Sequence, residues 1–186
     1  MSQHLGGKRD VRFPPALGRW IDNSGVMTTT TTTFQLHALP AELLDQVRAT
    51  GQDAFGRPVE RFVSRGGDDD PLRCCLRNAR AGERILLFGY AAPMPQSPYS
   101  EVGPVLVHEE PCGGPASTGE YPSDWIGRPQ VLRAFDRRGW IHPSTTVHDG
   151  SDPVAVITKL LADPDVVQLH SRNVAYGCYM FQVTRA

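Results

Sequence analysis

Hydrophobic and polar positions alternate most cleanly in two late stretches. Residues 166–172 read Val-Val-Gln-Leu-His-Ser-Arg, and residues 178–185 read Cys-Tyr-Met-Phe-Gln-Val-Thr-Arg. A period of two marks half-buried strands. The connection 173–177 ends in Gly177 and suits a hairpin. With Arg172 opposite Cys178, Leu169 faces Phe181 and Val167 faces Val183, so one face is apolar. The other face collects Gln168, His170, Arg172, Cys178, Met180 and Gln182.

Earlier segments are read the same way. Residues 34–38 form a short strand. Pro40 opens a helix over 40–50 with Leu43, Leu44 and Val47 on one stripe and Gly51 near its end. Residues 59–63 form another short strand. Residues 84–90 (Arg-Ile-Leu-Leu-Phe-Gly-Tyr) are apolar on both faces, which suits a central strand. A proline-rich loop follows, with Pro93, Pro95, Pro98 and Tyr99. Residues 103–108 make a strand that opens after a proline. Residues 109–124 form a long irregular loop. Asp136 and Gly139 bracket a type I turn between residues 131–135 and 140–141. Asp152 caps a helix over 153–162, with Pro153 in its first turn and Val154, Ile157, Leu160 and Leu161 on its buried stripe. The pattern predicts a single α+β domain over 34–186. It would have one mainly antiparallel sheet of about six strands, both helices on one face, and the last hairpin near the centre.

Residues 1–33 lack any sustained period and end in a run of six threonines, 28–33. They read as a flexible leader, with Met27 as the true start and the residues before it an over-called extension. Lys8, Arg9, Arg12 and Arg19 with Phe13 and Trp20 offer the alternative of a functional arm.

Composition narrows the classes. A net charge of −1 gives no field that would draw the chain to nucleic acid or an anionic membrane. No apolar run is long enough to cross a bilayer. The cysteines Cys74, Cys75, Cys112 and Cys178 make no disulfide framework. In an extended chain Cys74 and Cys75 point to opposite sides. Reduced thiols and a cytoplasmic setting are expected.

Three stretches together resemble a bacterial family described only as domain-of-unknown-function family 1203. They are residues 81–87 continuing through Tyr90, Pro98-Tyr99 and residues 103–108; then Arg133-Ala-Phe-Asp136 with Gly139; then residues 170–185 around Gly177-Cys178-Tyr179. The resemblance covers 34–186 and omits the leader. It implies no reaction, cofactor or catalytic residue.

Site chemistry therefore rests on the side chains. In the register above Cys178 lies beside Arg172, with His170 diagonal to it. A thiol beside a cation ionises more easily, and a nearby histidine is the usual base. Cys178, His170 and Arg172 thus suggest acyl or thiol transfer. The alternative is that Cys178 is a small core hydrophobe. His108 and Cys112, with Glu109, begin the long loop, a place where sites tend to sit. His108, Cys112, His170 and Cys178 would make a Cys2His2 set, but their spacings match no common zinc motif, and no metal or cofactor is expected. Asp68, Asp69 and Asp70 read as a solvated loop. The reading preferred is a non-catalytic module binding a small molecule or a partner protein. Its binding residues would be His108, Glu109, Cys112 and Tyr99, beside the face bearing His170 and Arg172.

Overall fold

The computed structural model describes residues 33–186. The expectations about the leader, Met27 and the basic arm lie outside the described residues. The elements run β1 (Phe34–His37), α1 (Ala41–Thr50), β2 (Glu60–Val63), β3 (Pro71–Leu72), β4 (Arg77–Asn78), β5 (Arg84–Tyr90) and β6 (Gly103–His108). A 3-10 turn at Ser123–Trp125 follows, then β7 (Gln130–Phe135), β8 (Thr146–His148), α2 (Pro153–Leu161), β9 (Gln168–Asn173) and β10 (Tyr179–Arg185).

The local signals produce the expected elements. Gly51 ends α1 in the left-handed region at φ 65°, and its N–H reaches the Val47 carbonyl at 2.9 Å. Asp152 Oδ1 accepts the Ala155 N–H at 3.0 Å, with Pro153 in the first turn of α2. Asp136 shapes its turn twice: its carbonyl accepts from Gly139 N at 2.9 Å, and its Oδ1 accepts from Arg138 N and Trp140 N. Gly139 lies at φ 74°, and a Cβ there would sit 2.8 Å from the Pro95 carbonyl. The close approach lets the proline-rich loop dock on this turn, with Ser97 Oγ donating to Gly139 O at 2.8 Å.

The α+β class holds, but the strands divide between two sheets. One runs β1-β10-β9-β7-β8 and the other β2-β5-β6-β3-β4. All pairings are antiparallel except β3 with β6. The helices divide likewise. Ile157 and Leu161 of α2 join Trp125, Leu169, Phe181 and Val183 in the first core. Leu44 and Val47 of α1 join Leu72, Ile85, Val105 and Val107 in the second. In the first core the rings of Trp125 and Phe181 stack with centroids 5.7 Å apart. Periodicity gives each element a buried face but names no partner, so a single sheet was the simplest arrangement compatible with it.

The last hairpin is interior to its sheet, with a different register. Arg172 pairs with Tyr179, Ser171 with Phe181, and Leu169 with Val183. The extra residue, Met180, forms a bulge. Met180 and Phe181, adjacent in the chain, therefore both join the first core, where strict alternation would send them to opposite faces. Leu169, Phe181 and Val183 still share the core side. Cys178 leaves the strand for the connection. Tyr179 packs on Tyr90 of β5 with centroids 5.4 Å apart, joining the hairpin to the second sheet.

Candidate functional site

The face of β9 turned away from the first core carries His170 and Arg172. They open on a cleft of about 160 Å³ whose lining includes Tyr90, Glu101, His170, Arg172, Cys178 and Tyr179. His170 is fully buried between the rings of Phe135, at 4.7 Å, and Tyr179, at 5.4 Å. Neither ring nitrogen has a hydrogen-bond partner among the described residues. Burial, reinforced by Arg172 and Arg133, holds its pKa down at about 3, so the ring is neutral at ordinary pH. Arg172 donates from Nη1 to the Gly177 carbonyl at 3.0 Å and ion-pairs through Nη2 with Glu101. Its Nε is buried with no partner among the described residues. Arg133 Nη1 meets the same Glu101 oxygen at 3.1 Å. Two guanidinium groups thus share one carboxylate and leave a net positive charge at the cleft. Burial also pushes the Tyr90 phenol up to about 12, so it stays protonated.

The hairpin residues singled out from the sequence thus meet in one cleft. Cys178 is half-buried at its edge, and its Sγ lies 3.8 Å from the Tyr176 carbonyl.

The other candidates separate. His108 and Cys112 do not join His170 and Cys178. They meet Cys74 and Cys75 instead, and the four ligand atoms lie within 4.8 Å of one another. Cys74 and Cys75 do not diverge, because they sit in the turn between β3 and β4 and not in an extended chain. Their sulfurs are 4.0 Å apart. Leu76 completes the turn at φ 56°, an uncommon conformation for a leucine. The parallel pair Leu72↔Leu106 carries Cys74 abreast of His108, whose backbone N–H lies 3.3 Å from Cys74 Sγ. His108 Nδ1 lies 3.5 Å from Cys74 Sγ and 3.7 Å from Cys75 Sγ. On the other side of the ring, Nε2 is 3.3 Å from Glu83 Oε2. Arg77 holds Glu83 with two bonds, at 2.9 and 2.7 Å, and depresses its pKa to about 2. Burial lowers the His108 pKa and raises those of Cys74 and Cys112; for Cys74 the hydrogen bond with Cys75 contributes most.

Glu109 lies apart from this cluster's ligand set, pairing with Arg61 at 3.2 Å and Arg84 at 2.6 Å. Tyr99 packs edge-on against Trp140 at 5.8 Å, in the docked proline-rich loop. The aspartate run serves the local loop, with Asp70 accepting from Ser64 Oγ at 2.7 Å and Asp68 from Asn78 Nδ2 at 3.0 Å. Cys74, Cys75 and Glu83 were missed as site residues. The short parallel pairing that assembles them leaves no periodic trace; an adjacent cysteine pair and a His-x3-Cys spacing were the only local signals.

The molecule is an α+β domain of two mainly antiparallel sheets, with a cationic cleft on one and a thiol–imidazole cluster on the other. The chain belongs to the family described as a protein of unknown function, family 1203, which it matches over residues 69–185. That span includes every residue of the cleft and the cluster named above. No curated protein and no solved structure matches the chain.

Proposed function

We propose that the chain is a non-catalytic binding module that takes a small anionic molecule, a carboxylate or phosphate, in the cleft over β9 and β10. One observation carries the reading: His170 and Arg172 line this cleft, and three of their buried nitrogens have no hydrogen-bond partner among the described residues. Buried polar groups are normally satisfied, and leaving one unmade costs about 1–3 kcal/mol. A bound oxyanion would accept from Arg172 Nε and from the protonated ring nitrogen of His170. The spare positive charge of the Arg133–Glu101–Arg172 group favours that sign. The volume suits a compact ligand of a few heavy atoms.

Calorimetric titration of the full chain with inorganic phosphate and with malonate tests the reading. Saturable binding is expected, weakened at least tenfold in Arg172→Gln and in His170→Phe. Equal affinity in wild type and Arg172→Gln would remove the cleft from the argument.

A second reading, a cysteine-dependent transferase using Cys178 with His170 and Arg172, is favoured by the three sharing one cleft. It ranks lower because an imidazole with a pKa near 3 is a weak base toward a thiol. Alkylation of the native protein across pH, followed cysteine by cysteine, separates the two. Early modification of Cys178 alone would raise the transferase reading above the binding one.

A further inference from the structure

Cys74 Sγ, Cys75 Sγ and His108 Nδ1 have nearly the mutual spacing of ligands in a filled tetrahedral site, and the ligand atom of Cys112 lies within 4.8 Å of the others. Zinc takes sulfur at about 2.3 Å and nitrogen at about 2.0–2.1 Å, which sets tetrahedral ligands roughly 3.8 Å (S···S) and roughly 3.5 Å (S···N) apart. The observed distances are 4.0 Å for the sulfur pair and 3.5 and 3.7 Å for sulfur to Nδ1. The surroundings are also those of a metal site. The backbone N–H of His108 points at the Cys74 sulfur, 3.3 Å away, as backbone amides do toward thiolates. Glu83 stands behind the imidazole, itself fixed by Arg77 and by the Arg80 N–H at 2.8 Å.

We propose that Cys74, Cys75, His108 and Cys112 bind one zinc ion as a structural Cys3His site, with Glu83 as a positioning residue for His108. This departs from the expectation of no metal and stands independently of the cleft. Thiolate and imidazole donors in a tetrahedron select zinc among common cations. Binding one dication displaces the protons of three thiols, and the three thiolates leave the site at −1. Arg77, with Nη2 3.0 Å from His108 Nε2, offsets that charge. With the ion on Nδ1, the ring proton sits on Nε2 and Glu83 accepts it, so Arg77 Nη2 turns its N–H from Nε2 to the Glu83 carboxylate that it already binds at 2.7 Å. Four protein ligands leave no open position, so the ion's work is to tie the turn after β3, the end of β6 and the loop beyond it into one unit.

The test uses the full chain, reduced, demetallated and titrated with Co(II). One equivalent is expected, with thiolate-to-cobalt charge-transfer bands and a tetrahedral d–d spectrum, both lost when Zn(II) is added. Cys178→Ser retains all of this. Cys112→Ser weakens cobalt binding at least a hundredfold, and Glu83→Gln weakens it roughly ten- to a hundredfold. Should Cys112→Ser fail to fold, His108→Cys replaces it, with stronger charge-transfer bands expected from a fourth thiolate. Octahedral spectra without charge transfer, unchanged binding in Cys112→Ser, unchanged bands in His108→Cys, or a Cys74–Cys75 disulfide in protein isolated under reducing conditions would each overturn the proposal.

Discussion

His170 has a stability consequence of its own. Folded, it resists protonation until pH falls to about 3, whereas an unfolded histidine takes a proton near about 6.5. Between those values the unfolded state holds more protons, so stability falls as pH falls, and above that window the contribution is complete. His37 and His148, also lowered by burial, act in the same direction. Urea unfolding at pH about 7 and about 4.5 is expected to show a smaller loss for His170→Phe than for wild type. Equal losses would mean that His170 exchanges protons in the folded state. The alternation of residues 166–172 was enough to set His170 and Arg172 on one face. Cys74 and Cys75 were misread because alternation assumes an extended chain, and a leucine at positive φ is not announced by its identity.

At the scale of elements, caps and stripes were legible and pairings were not. Asp152 and Pro153 fix the start of α2 within a few residues of sequence. Asp152→Ala is expected to cost about 1 kcal/mol, through loss of the bond to Ala155 N, in thermal or denaturant unfolding. A change within error would show that Pro153 alone secures the helix start. The interior position of β5 was legible because Ile85 and Leu86, adjacent and therefore on opposite faces, are both buried. The strands β3 and β4 were invisible: two residues each are too short for any period. Beyond the bulge at Met180 the register differs from the expected one by two residues, Leu169 pairing with Val183 and not Phe181, and a shift of two keeps every side chain on its face.

For the molecule as a whole, the α+β class follows from the mixture of periods along the chain, while the division into two sheets depends on contacts between distant segments. The sheet β2-β5-β6-β3-β4 is drawn entirely from one continuous stretch of chain, residues 60–108. The other sheet joins β1 to β10, where His37 bonds to Thr184 across 147 positions at 2.8 Å. That difference in connectivity imposes a timetable. Closing a long loop costs entropy before its contacts repay it, and non-local pairing slows folding. In pulsed hydrogen exchange during refolding, amides of β5 and β6 are therefore expected to gain protection before those of β1 and β10. Simultaneous protection would refute this order. During synthesis the same topology leaves β1 without its neighbour until β10 has left the ribosome. For that interval the thiol–imidazole sheet can be complete while the cleft sheet is still waiting for its second strand.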